Sequence, residues 1–237
     1  MQALVRPGCE ISRERTARRV ARHHHLGGYA ALVLRGGYLE AGDRGRFRAA
    51  PGDVLLHDRF EAHQDHFDSG GADILNLPLV VAPAPAFGRV DDADLIVRLA
   101  AHDARAAAEA LLAAIRTVEA VLSDWPDLLA AELRGETKIV LGCWARAHGL
   151  SPSGVSRGFR QCYGVSPQRY RAEHRAALAA RAAQRVRSRT LAHVAAATGF
   201  ADQAHMTRTI RRLYGRTPSA IRGEAGKCVQ DGVLSPL

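Results

Sequence analysis

The chain holds only four cysteines in 237 residues: Cys9, Cys143, Cys162 and Cys228, with no CxxC pair and no regular spacing. That argues against a disulfide framework or a zinc finger and fits a reducing cytoplasm. Long apolar runs are equally scarce. The longest, Ile74 to Phe87, contains Asn76 and three prolines, so it cannot span a bilayer. No apolar stretch follows the early charges, so no secretory signal is visible. A soluble cytoplasmic protein with no membrane partner is expected. Lysine is nearly absent, since 31 of the 33 basic residues are Arg. The most informative scarcity is of acids in the second half. From Ile139 to Arg222 there are 15 Arg and two acids, Glu173 and Asp202. Residues 1–127 carry a net charge of −3 and residues 128–237 a net charge of +12. An arginine-rich genome explains arginine over lysine but not the loss of acids from one half. Such asymmetry suits a polyanion-binding half joined to an ordinary one.

What is present is a normal globular mixture, 47% hydrophobic and 24% charged, long enough for one large domain or two small ones. Residues 28–81 read as short strands at Tyr29–Leu34, Tyr38–Glu40, Arg46–Arg48, Val54–Leu56 and Ile74–Leu77. Gly36-Gly37, Gly42-Asp43 and Pro51-Gly52 separate them, which predicts a small barrel or sandwich. The Pro-rich stretch Pro78 to Pro85 reads as a linker. Beyond it, Asp91 to Leu122 is rich in Ala and Leu, and Asp91, Asp92 and Asp94 stand where a helix N-terminus favours acids. The pattern then stays helical to Arg222. The expected fold class is therefore α+β: a β-barrel over 1–88, a helical linker and dimerisation candidate over 89–130, an all-α domain over 131–224 and a tail over 225–237.

The helical half contains a repeat. The stretch Gly149 to Pro167 aligns with Gly199 to Pro218, and after one extra residue in the second copy the offset is constant at 51. Arg157 falls on Arg208, Arg160 on Arg211, Tyr163 on Tyr214, Gly164 on Gly215 and Pro167 on Pro218. Each copy reads as a helix-turn-helix. In the first, Ile139, Val140, Trp144 and Ala147 are expected on one helical face. Gly149 stops that helix, Leu150 tucks into the core, and Ser151-Pro152 caps and starts the next. Val155 and Phe159 then point inward, leaving Ser153, Ser156, Arg157 and Arg160 outside. In the second copy Leu191, Val194, Ala195 and Thr198 form the first helix, Gly199 the stop, Phe200 the plug and Asp202 the cap. Met206, Ile210 and Leu213 face inward, leaving Gln203, His205, Thr207, Arg208 and Arg211 outside. Arg can pair bidentately with guanine and Gln with adenine, while Ser and Thr reach base edges or phosphates. An arginine-rich connector from Pro167 to Arg187 could set the two reading helices about 34 Å apart in successive major grooves.

Residues 135–223 resemble the double helix-turn-helix DNA-binding domain of the AraC/XylS family of transcription regulators. Gly199-Phe200, Asp202-Gln203, Thr207-Arg208, Tyr214-Gly215 and Thr217-Pro218 carry most of that resemblance. It implies base contacts from Ser153, Ser156 and Arg157 in one helix and from Gln203, His205 and Arg208 in the other. Ala204 stands where the family often has Ser, and Met206 and Ile210 where it often has Phe.

The first half resembles a cupin barrel over residues 20–80. His23-His24-His25 is similar to the first cupin motif, and Gly52 to His57 followed by His63 to the second. The resemblance implies a small-molecule sensor barrel and, from cupin metalloenzymes, a divalent metal on His23, His25 and His63. The Glu of that ligand set is absent from its expected place, where Gly28, Tyr29 and Ala30 stand. Three imidazoles still suit zinc, nickel or iron, and His57 and His66 are substitutes if the barrel brings them close. The bland alternative is a solvated strand end for the triple His and a hydrogen-bonded loop position for His63. Leu32, Leu34, Val54, Leu56 and Leu77 could line an apolar effector pocket or simply fill the barrel. Leu95, Leu99, Leu111, Leu112, Ile115, Val118 and Leu122 recur at helical spacing, which suits packing on the barrel or dimerisation.

The leading reading is a non-enzymatic, sequence-specific regulator of transcription. Its partners are double-stranded promoter DNA, a small-molecule effector in the barrel and RNA polymerase, with monomer or homodimer and activator or repressor left open. A cupin-type metalloenzyme with a nucleic-acid-binding appendage and an architectural DNA binder without sequence preference are the alternatives.

Overall fold

The computed structural model describes residues 4–5, 9–79, 86–118, 124–135, 139–185 and 188–223. The Pro-rich stretch falls mostly outside them, as do Leu122, Cys228 and the tail.

Nine strands form one sheet: β1 (Leu4–Val5), β2 (Glu10–Glu14), β3 (Arg18–His25), β4 (Gly28–Gly42), β5 (Gly45–Ala49), β6 (Asp53–His57), β7 (Ala62–Leu79), β8 (Phe87–Arg89) and β9 (Arg116–Thr117). The backbone of this sheet is the pairing of the two long strands β4 and β7. Their register slips at Val33/Arg35 and Gly36/Tyr38, and such bulges bend a strand pair. One end of β4 then pairs with β6 and the other with β5. The expected strands are all present, but Tyr29–Leu34 and Tyr38–Glu40 are one continuous strand. The polar strands β2 and β3, and the first part of β7 with His63, lay outside the strand pattern read from sequence.

Alternation along β4 and β6 sorts two apolar layers. Ala30, Leu32, Val54, Leu56, Leu75 and Leu77 face helices α1 (Ala93–Ala100) and α2 (Ala104–Ala114), where Ile96 and Leu111 complete the core. Of the residues named as candidate pocket lining, Leu32, Leu34, Val54 and Leu77 pack with these helices, and Leu56 also borders a small cleft. Tyr29, Ala31, Val33, Phe47, Leu55 and Phe87 form the opposite layer. Leu95 is exposed, Leu99, Leu112 and Ile115 pack at the margin, and Val118 follows β9 at the surface.

Helix α3 (Trp125–Arg134) packs with the first helix-turn-helix unit, α4 (Leu141–Ala147) and α5 (Pro152–Tyr163), through Leu129, Leu133, Trp144, Val155 and Phe159. The stretch 89–130 is therefore shared between barrel and first unit. Val140 and Ala147 are exposed, and Ala145 takes the inward place beside Trp144. The alignment with Val194 and Ala195 carries the right face, because 144 and 145 precede their glycine stop by the same distances. Helix α6 (Pro167–Arg185), 19 residues or about 28 Å long, connects to α7 (Leu191–Ala197) and α8 (Gln203–Tyr214). Val194, Ala195, Phe200, Met206, Ile210 and Leu213 are buried together there. A short helical turn follows over 218–223.

Candidate nucleic-acid interface and histidine cluster

Both reading helices are placed by local chemistry. The Ser151 hydroxyl accepts a hydrogen bond from the Gly154 amide at 3.1 Å, with Pro152 at the first helical position. Asp202 accepts from the His205 amide at 2.6 Å. Such caps satisfy N–H groups that a helix start leaves unpaired. The preceding stops, Gly149 and Gly199, have φ of 66° and 73°, and Gly164 and Gly215 end the helices in the same left-handed region. With the ends set, Val155/Phe159 and Met206/Ile210 at i and i+4 fix which face turns outward.

Ser153, Ser156, Arg157 and Arg160 on α5 are all exposed, as are Gln203, His205, Arg208 and Arg211 on α8; Thr207 is half-buried. Among the described residues, Arg157, Arg160, Arg208 and Arg211 make no side-chain hydrogen bond or ion pair. The His205 ring packs edge-on to Phe200, with centroids 5.3 Å apart.

Inside the barrel β3, β6 and β7 bring imidazoles together. The candidate ligand atoms of His23, His25 and His63 lie within 4.8 Å of one another, and a second set, Glu40, His57 and His63, does so too. Nε2 of His25 and of His63 are 2.9 Å apart, and the Tyr29 hydroxyl lies 2.9 Å from His63 Nε2. His63 Nδ1 meets Asp65 at 2.8 Å. If Nδ1 donates to that carboxylate, Nε2 is left as a lone pair aimed into the cluster, the arrangement that orients metal-binding histidines. Burial lowers the pKa of His25, His57 and His63 and keeps them neutral, the form that ligates. Burial also pushes Glu40 well up, reinforced by Asp65 and Glu61, and pushes Asp65 to about 7.

Among the buried side-chain atoms that lack a hydrogen-bond partner, three belong to this cluster, His25 Nδ1, Glu40 Oε2 and His57 Nε2, and the last two face each other at 3.5 Å. Ligand atoms around tetrahedral zinc stand about 3.3 Å apart. The donor set and these orphaned atoms fit a divalent cation. Glu40, farther along β4 and paired with Asp65 of β7, brings a carboxylate to the second set, with His57 and His63, and not to the set of His23, His25 and His63. His66 is in neither set.

The other face of β3 meets the helical half. Arg22 is buried against Asp43 and 2.9 Å from Glu173 of α6, and His24 lies 3.8 Å from the same carboxylate. Burial alone would lower the Arg22 pKa, but Asp43 and Glu173 raise it. Burial likewise pushes Glu173 up, yet Arg22, His24 and Arg169 bring it below its ordinary value. Arg46 pairs with Asp124 and Asp127, and the Tyr163 hydroxyl donates to Asp127 at 2.9 Å. Gln64 donates to the Cys162 carbonyl. A Cβ at Gly164 would come within 2.6 Å of Gln64 Oε1, so that glycine serves both the helix end and the docking. At the second unit Phe60 is 4% exposed among Met206, Ile210 and Tyr214. Its φ of 68° costs a side-chain-bearing residue roughly 1–2 kcal/mol. Arg181 and Arg185 of α6 pair with Asp58 at 3.6 and 3.7 Å. Arg185 reaches the barrel only at its edge, with its side chain 59% exposed. None of this docking was visible in the sequence, because it joins residues from 78 to 154 positions apart.

The family model described as a helix-turn-helix domain matches residues 144–224. Among solved structures, an AraC-type regulator from Chromobacterium violaceum is 23% identical, covering 42% of this chain and 89% of its own, with a TM-score of 0.38. A probable AraC family regulator from Rhodopseudomonas palustris is 22% identical over 42% of this chain and 92% of its own, with a TM-score of 0.37. A salicylate 1,2-dioxygenase mutant from Pseudoaminobacter salicylatoxidans is 18% identical over 28% of this chain and 20% of its own, with a TM-score of 0.26. At those scores the structural likenesses carry no argument. No curated protein matches the chain. The class defined by the matched segment and its two capped reading helices is the DNA-binding transcription regulator. More particularly, the segment matched to the helix-turn-helix family spans both units, from α4 to α8.

Proposed function

We propose that this protein is a sequence-specific regulator whose two reading helices contact bases and whose barrel adjusts that binding in response to a small effector. Ser153, Ser156, Arg157 and Arg160 serve the first half-site, and Gln203, His205, Thr207, Arg208 and Arg211 the second. The observation that carries this reading is the set of four exposed arginines on capped helices without a protein carboxylate to pair with. In free protein such charges are solvated; on DNA they take phosphates and guanine edges. RNA polymerase is a further partner in this reading, the site of action is the cytoplasm, and the chain is not an enzyme. Among the described residues no helix is long and apolar enough to cross a membrane.

For the effector, a divalent cation on His23, His25 and His63 has the best support, with Glu40 and His57 beside it. The neighbouring cleft is lined by Glu40, Asp43, Arg44, Leu56, His57 and Glu61 and has a cavity volume of about 10 Å³, roughly the room of one water. Organic ligands usually occupy about 300 Å³ or more.

The test is fluorescence anisotropy with the native upstream fragment against scrambled DNA, across a salt series. Preference for the native fragment that survives competitor DNA is expected. Equal, steeply salt-dependent binding to both would reduce the arginines to phosphate grips and refute sequence-specific regulation through that fragment.

A further inference from the structure

We propose that the loop Asp58-Arg59-Phe60-Glu61 couples the histidine cluster to the second helix-turn-helix unit, with Phe60 as the element that transmits the change. The proposal rests on reading the histidines as a cation site.

This loop joins the end of β6 to the start of β7, so only five residues separate His57 from His63. A connection this short has little slack to absorb a shift of the histidines at its two ends. Its backbone is tied on both sides. The Phe60 amide donates to the carbonyl of His25 at 2.9 Å, and the Phe60 carbonyl accepts from the Tyr214 hydroxyl at 3.0 Å. Phe60 is thus bonded directly to one candidate ligand residue and to the last residue of α8. Its ring lies 5.1 Å from that of Tyr214, inside the second unit's core. It is also the one non-glycine residue with a positive φ among those described. A strained conformation persists where its surroundings over-determine it, and it is released when those surroundings change.

Among the described residues no barrel aromatic enters the first unit's core, where the barrel contributes Ala41. That unit's matching tyrosine, Tyr163, donates to Asp127 of α3. The docked barrel leaves eight of the nine reading residues exposed and the ninth half-exposed, so control need not work by covering them. A cation on His23, His25 and His63 shifts the end of the loop at His63 and the His25 carbonyl that holds the Phe60 amide, and with them the seat of Phe60 under α8.

Hydrogen exchange of the full chain, with and without added zinc(II) and with bound zinc quantified in parallel, tests this. In the unmodified protein, zinc should change exchange in α8 about fivefold or more and in α5 much less. Phe60→Ala should bind the same zinc while α8 no longer responds. Tyr214→Phe, which removes a single hydroxyl and keeps the packing, should bind zinc and respond less. Bound zinc with unchanged α8 exchange in the unmodified protein, or a full response in either folded variant, would overturn the coupling and leave the cation site standing. Absence of bound zinc in the unmodified protein would overturn both.

Discussion

Arginines in the two parts of this molecule meet opposite surroundings. In the barrel and at its docking face, Arg22, Arg35, Arg46 and Arg89 each have a carboxylate within 3.1 Å. On the reading helices Arg157, Arg160, Arg208 and Arg211 have no such partner among the described residues. The residue type is the same and only the supply of acids differs. Where acids are present, arginine is spent on holding strands and domains together. Where they are missing, its charge stays available to a polyanion. Net charge alone would have assigned Arg181 and Arg185 to DNA as well, yet both face Asp58.

The comparison breaks most sharply at Arg22. Arg22→Met should cost about 3–5 kcal/mol of stability, because it leaves Asp43 and Glu173 buried and uncompensated. Urea unfolding measures this, and a loss below about 1 kcal/mol would mean that the pair does not hold barrel to helices. Arg208→Ala should do the reverse, leaving stability within about 0.5 kcal/mol and weakening the specific DNA site by about 1–3 kcal/mol. If the ratio of specific to random-DNA affinity is unchanged, α8 does not read bases through that side chain. His174 of α6 probes the interface with a proton. Burial, with Arg181, Arg134 and Arg22 nearby and Asp43 opposing, lowers its pKa to about 4. A histidine depressed on folding takes up its proton more readily when unfolded, so its contribution is intact above about pH 6.5 and is lost as pH falls toward 4. His174→Gln should reduce the acid-induced loss of stability across that window, read by thermal melts at matched ionic strength. The smallest effect belongs to Arg212, exposed on α8 and without a resolved partner. Arg212→Ala should weaken binding to every sequence alike and reduce the salt slope by about one.

The helix-turn-helix units were legible because their signals are local. A glycine stop, a Ser or Asp cap three residues before the amide it satisfies, and apolar pairs at i and i+4 all lie within one turn or two. The barrel's inner strands were not legible. Arg18–His25 is too polar to read as a strand, and it becomes one only by pairing with β7 some forty residues away. The same distance hid Glu40. The cupin pattern places a carboxylate next to the histidine motif, where Tyr29 stands, while strand pairing brings Glu40 beside Asp65 from farther along β4.

Once β3 is known to be a strand, its alternation explains itself. His23 and His25 turn toward the cluster, and Arg22 and His24 turn toward Glu173. Sequence by itself therefore determined the capped helices, their outward faces and the basic half, since these depend on neighbours within a few residues. Tertiary structure alone decided which histidines converge, which arginines are consumed by carboxylates, and where Phe60 is seated. Those outcomes depend on contacts between distant segments, and no local pattern of residues encodes which distant segment will arrive.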